Sequence, residues 1–183
     1  MNPYFRFHLD PAFDTGKLPV PEIWDWDAVI KIINQLSPRM QVICAVTAAE
    51  IVLPIWEKRN QNRSNPYENT PKLAIEKVKE WIHTSGEVSK YDLDYAGKAA
   101  TAAGATLMGA GATAAYSASR AALSVYSAYQ VVNEAVYAIR YAASASAEDG
   151  TDKQEFYAKW WDVCKISLEN DYQGWVDWVT GIK

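Results

Sequence analysis

Two cysteines and two histidines are all the thiol and imidazole that 183 residues offer. So few soft ligands give no spacing from which a metal cluster could be assembled. No metal site and no cofactor is therefore expected. His8 falls in a proline-rich N-terminal stretch. His83 falls at the expected end of a helix, where a cationic side chain meets the negative end of the dipole. Cys44 and Cys164 each lie in apolar helical surroundings, which predicts buried free thiols and leaves a disulfide open. A basic excess is also missing. Net charge is −4 and the isoelectric point about 5.2. Direct nucleic-acid binding needs a clustered cationic surface, which this balance does not provide. No glycine loop is followed by Lys and Ser/Thr, so no phosphate cradle is expected. The first residues, Met-Asn-Pro-Tyr-Phe-Arg, contain no apolar signal core, and a cytoplasmic location is the expectation. Alternating strand patterns are absent throughout.

What is abundant is alanine. Between Tyr95 and Ala147 the chain is mostly Ala, Gly, Ser and Thr, and only Lys98, Arg120, Glu134 and Arg140 carry charge. Alanine is the best helix former, so the stretch reads as helical. One heptad row is Ala100, Leu107, Ala114, Ala121, Ala128, Ala135 and Ala142. Its companion row is Gly97, Gly104, Gly111, Ala118, Val125, Val132 and Ile139. Such spacing marks a helix seam, and small residues let two backbones approach closely. A single helix over the whole stretch would be too long for a compact domain of this length. The glycines at 109 and 111 are the cheapest turn. A long antiparallel hairpin over about 91–108 and 113–147 is the expectation. The segment Ala99–Ser119 is uncharged, but too poor in Leu, Ile, Val and Phe to insert in a membrane.

The rest of the chain reads as shorter helices around that pair. Residues 1–23, with Pro3, Pro11, Pro19 and Pro21, read as an extended arm packed on the helices. Trp24–Leu36 has helical spacing, with Asp25 and Asp27 favouring its start. Ser37-Pro38 caps a helix to about Lys58 that carries Pro54 in its interior, where a kink is expected. Thr70-Pro71 opens another, ended by Gly86. Ser89 and Asp92 form a capping box. Asp149-Gly150 turns the chain and Thr151 caps a helix with an apolar stripe of Phe156, Trp160, Val163, Cys164 and Leu168. Gly174 separates a last short helix with Trp175 and Trp178. The whole is an all-α single domain over residues 1–183 with about seven helices.

Candidate sites are few. Glu50 sits among apolar neighbours and reads as a partly buried carboxylate held by a Lys or Arg of another helix, or as a contact residue at the kink. The stretch from Glu148 to Lys183 has eight acidic residues against four lysines. Glu169, Asp171, Trp175, Asp177 and Trp178 there form a candidate partner surface, because aromatics ringed by charge are enriched in interfaces. An enzyme would need Glu50, His83 and Cys44 to converge, since a thiol nucleophile requires a base in hydrogen-bond reach.

The run from Cys44 through Glu50, Leu53, Pro54, Trp56 and Glu57, followed by Pro71 to Trp81 and an Ala-rich region, resembles the all-helical immunity proteins of bacterial polymorphic toxin systems. The shared features are an Ala-Glu-x-x-Leu-Pro pattern before an Ala-rich helix pair, over roughly 38–147. Tyr116, Tyr126, Tyr129, Tyr137 and Tyr141 make this chain's second long helix bulkier than that pattern. The resemblance implies a non-catalytic protein that binds and neutralises a cognate toxin, with the acidic balance suited to a basic target such as a nuclease domain. A homo-oligomeric scaffold, down to a homodimer, is the alternative.

Overall fold

The computed structural model describes residues 20–60, 69–84, 89–107, 110–125 and 131–180. Within them, the side chains of residues 103–107, 118, 119, 122, 124, 125 and 171–180 lie outside the description. Every regular element among the described residues is a helix. They are α1 (Trp26–Ile33), α2 (Pro38–Asn60), α3 (Thr70–His83), α4 (Lys90–Leu107), α5 (Ala110–Val125), α6 (Val131–Glu148) and α7 (Lys153–Thr180). The all-α class and the seven helices match the sequence reading. The arm expected over residues 1–23 lies outside the described residues except for its last four.

Local chemistry explains most of the boundaries. Asp25 caps α1 by accepting from the Ala28 amide at 2.8 Å, which satisfies one of the orphan N–H groups of the first turn. Ser37 accepts from the Met40 amide at 3.4 Å to start α2. The α1–α2 corner is fixed by a buried polar side chain. The amide of Gln41 donates to the carbonyls of Ile33 and Leu36 at 3.1 and 2.9 Å. These groups would otherwise be buried carbonyls without partners. At α4 the capping box forms, with the Ser89 hydroxyl donating to Asp92 at 2.8 Å and accepting from the Asp92 amide at 3.1 Å. Two expected caps are displaced by one residue. Asn69 precedes α3 without a side-chain cap bond. Asp152, not Thr151, caps α7, accepting from the Gln154 amide at 2.8 Å.

Two helices form the centre. α2 packs against α3, α5, α6 and α7, and α5 packs against α2, α3, α4 and α6. Every α2 residue from Met40 to Ala49 is buried, Gln41 and Thr47 included. A helix apolar on all sides belongs in the middle of a bundle. By length and composition α2 could cross a membrane, yet 67% of its apolar window is covered by the rest of the fold, as a central core helix also gives. Pro54 is tolerated in it because Pro54 and Glu50 both lie on the exposed side. The Glu50 carbonyl that the missing amide leaves free can there take water instead.

The Ala-rich region departs from the expected hairpin. In place of one long second helix over 113–147 there are two, α5 and α6, with residues 126–130 outside the description. Arg120 Nε lies 3.8 Å from Glu134 Oε1. On one continuous helix those residues would be about 21 Å apart along the axis. The chain therefore turns back between them, and α5 against α6 is the most extensive helix contact of the fold. The heptad reading itself survives the extra turn. Ala100, Ala114, Ala121, Ala135 and Ala142 of the first row are all fully buried. Their small side chains do what the seam requires, and Gly111 shows how close the helices come. A Cβ placed there would meet Trp56 Cβ at 3.5 Å and the Val52 carbonyl at 3.7 Å. At the other end of the chain the expected break at Gly174 is absent, since α7 runs through to Thr180.

α7 closes the bundle along α2 and α6. Arg59, near the end of α2, pairs with Glu148 at 2.6 Å just before α7 begins. Cys44, in the first half of α2, meets Cys164 in the middle of α7. The two helices therefore run antiparallel. Trp160, Trp161 and Phe156 on α7 are fully buried, as is Trp81 on α3. Buried aromatics of this size contribute roughly 4–6 kcal/mol each by area, as an upper estimate. They supply the bulk that the alanine contacts lack.

Candidate interaction surface on the last helix

The core side of α7 is set by Phe156, Tyr157, Trp160, Trp161, Cys164 and Leu168, all buried. The positions 157, 161, 164 and 168 follow a 4-3-4 spacing, the signature of a packed helix face. Val163, expected in that stripe, instead lies on the outer side. That side carries Glu155, Lys159, Asp162, Val163, Ile166, Glu169 and Asn170. Ile166 is 59% exposed there, with Asp162 and Glu169 at its flanks. Lys165 Nζ holds Asp162 Oδ1 at 2.9 Å. An apolar side chain between acidic neighbours on a rigid helix can anchor a partner's apolar group and orient its cations.

The anticipated contact residues divide between faces. Glu169 is exposed on the outer row of α7. Asp171, Trp175, Asp177 and Trp178 lie on α7, but their side chains are outside the described residues. Glu50 belongs to another surface, on α2. Its carboxylate accepts from Lys79 of α3 at 2.6 Å and is half exposed. This is the cross-helix ion pair that its apolar neighbours led one to expect, at the surface rather than partly buried.

Cys44 and Glu50 do not face the same way. Six residues of helix separate them by about 9 Å and 120°, with the thiol directed at α7 and the carboxylate at α3. His83 is exposed in the last turn of α3. These three therefore do not build one catalytic cleft. No group of three or more His, Cys, Asp or Glu with metal-holding geometry occurs among the described residues.

Some surface features escaped the sequence reading. Tyr91 and Tyr95 are strongly exposed and stacked on the first turns of α4, ring centres 6.3 Å apart. Tyr137 and Tyr141 pair similarly on α6 at 6.4 Å. The i, i+4 spacing of each pair is the signal that finds them. Next to that pair on α6, Arg140 sits over the Trp26 ring at 5.4 Å and fastens α1.

Glu134 is pushed up from the ordinary glutamate pKa because burial disfavours its charge, a shift that Arg120 only partly opposes. Burial also raises the Tyr157 hydroxyl, with Arg140 opposing.

Comparison with known protein families, with curated proteins and with solved structures found no match to the chain.

Proposed function

We propose that this chain is an immunity protein: it binds a cognate bacterial toxin domain in the cytoplasm and neutralises it by covering or immobilising its active site, without turnover. The observation that carries this reading is Ile166, held open to solvent with Val163 on the outer row of α7 and flanked by Asp162 and Glu169. Exposed aliphatic groups with acidic neighbours on a well-packed helix suit recognition better than chemistry. The helix is backed by Trp160 and Trp161, so little ordering is needed on binding. The motif order from Cys44 to Trp81 ahead of an Ala-rich region is the second support. The net charge of −4 favours a basic target, for example a nuclease domain, through steering of the encounter.

Self-association is the second reading, favoured by the stacked and exposed Tyr91 and Tyr95. The alanine seam that might have joined chains is employed within one chain instead, as the fully buried Ala114, Ala121, Ala135 and Ala142 attest.

The test is capture of the product of the adjacent upstream reading frame by the tagged chain. Ile166→Asp and Asp177→Lys should each weaken capture about tenfold or more while leaving the melting temperature unchanged. Wild-type capture by both variants, or no capture by the wild type, defeats the reading. A dimer in light scattering that Tyr91→Ala dissociates would favour the alternative.

A further inference from the structure

We infer that Cys44 and Cys164 form a redox modification site, a latent disulfide that locks α7 to α2. The inference is independent of the partner reading above.

The geometry brings together two cysteines whose pairing the sequence leaves open. They stand 120 positions apart on antiparallel helices, and their sulfurs are 2.9 Å from one another. That is inside the sum of two sulfur radii, and a movement of under about 1 Å brings it to a covalent bond. Both residues are fully buried, and both are free thiols here. The neighbouring contact keeps the pair aligned, since the Trp160 indole donates to the Cys44 carbonyl at 3.0 Å one turn away on α7. No other cysteine exists in the chain to compete as partner.

Burial also decides when the pair reacts. It raises the Cys164 thiol well above its ordinary value, and the hydrogen bond to Cys44 acts in the same direction. The packed pair is thus held as thiols, and thiolate is the reactive species. Reaction awaits partial opening of α7, which lets a small peroxide reach one sulfur. The thiolate attacks the peroxide O–O bond, giving a sulfenic acid and hydroxide. The second thiol then displaces that oxygen as water and the S–S bond forms. In total two thiols and one hydrogen peroxide give one disulfide and two waters. When α7 closes again, the bond keeps it closed. In a reducing compartment the pair remains a dithiol.

The experiment uses the whole protein. Reduced protein is exposed to hydrogen peroxide, quenched with catalase, alkylated, and only then unfolded for mass analysis. The expected product is a monomer about 2 Da lighter, with no alkylated cysteine, restored to two alkylated cysteines by a phosphine reductant. Its thermal midpoint should exceed that of the reduced form by about 10 °C, because a cross-link across so long a loop restricts the unfolded chain strongly. Cys164→Ala treated identically should show no gain. Two free thiols after treatment, oxidation to sulfinic acid, or disulfide-linked dimers would each overturn the inference. So would a cross-linked monomer that melts no higher than the reduced one.

Discussion

The indole nitrogen of Trp160 donates to the carbonyl oxygen of Cys44 at 3.0 Å, joining the last helix to the central one. Trp160 is fully buried, so the bond and the packing act together. Phenylalanine keeps a ring but removes the donor and part of the volume. Trp160→Phe should destabilise the fold by about 1–3 kcal/mol, a fall of roughly 2–4 °C in melting temperature per kcal/mol at this chain length. Thermal melting checks it, and an unchanged midpoint would mean the contact contributes nothing.

The turn after α6 is fixed by one residue. Gly150 has φ of +95°. Its amide donates to the Ala147 carbonyl at 3.1 Å, and the Thr151 amide donates to the Ser146 carbonyl at 3.1 Å, the paired bonds of a Schellman cap. Nothing lies within 4 Å of where a Cβ would stand, so the objection to alanine is conformational. Gly150→Ala should destabilise by about 1 kcal/mol. Gly111→Ala should instead be neutral or stabilising by up to about 1 kcal/mol, since its Cβ meets only ordinary contacts and the position is helical. Urea titration of both variants tests the pair; equal effects would contradict this account of the two glycines.

Glu134 predicts a pH dependence. Its pKa is raised in the fold above the ordinary value of 4.5 by burial, more than Arg120 offsets. The folded protein then holds that proton more tightly than the unfolded chain does. Its stabilising contribution is present at acid pH and lost as pH rises through the folded value. Glu134→Gln should therefore melt at or above wild type at pH 7, with the difference shrinking towards pH 4. A variant that melts lower at pH 7 than wild type, with recovery at pH 4, would show the ion pair with Arg120 to be the stronger effect.

Lys79 and Glu50 meet at 2.6 Å with both side chains nearly half exposed. Water screens such pairs, and they contribute at most about 1 kcal/mol. Glu50→Gln should change the melting temperature by no more than a few degrees. Any large loss of partner capture in that variant would then report a contact, not unfolding.

Much of this fold was legible because its signals are periodic. The row Ala100, Ala114, Ala121, Ala135, Ala142 announced its burial by spacing alone. Periodicity is blind to chain reversal, however. The heptad phase continues across 126–130, so α5 and α6 read as one helix, and the Arg120–Glu134 contact with the packing of α5 on α6 exposes the turn. Gly174 misled in the opposite direction. A glycine inside a helix weakens it by about 1 kcal/mol, which α7 tolerates. The seven-helix count matches although the divisions differ at both places. On α7, the i, i+3/i+4 pattern from Phe156 puts Val163 rather than Trp161 in the core stripe, and Val163 is exposed while Trp161 is buried. The 4-3-4 run through 157, 161, 164 and 168 points the other way. The meeting of Cys44 with Cys164 had no sequence signal at all, because nothing local to either residue encodes the packing of α7 on α2.

Where helices touch through methyl groups, substitution has a steric ceiling. Glycine at Ala114, Ala121, Ala135 or Ala142 leaves the axes where they are, at about 1 kcal/mol of helix propensity. Any longer side chain wedges two rods apart, and a rod that tilts at one level tilts at its neighbours. Side-chain size at these sites is therefore expected to stop at alanine, while the exposed row of α6 carries no such steric limit.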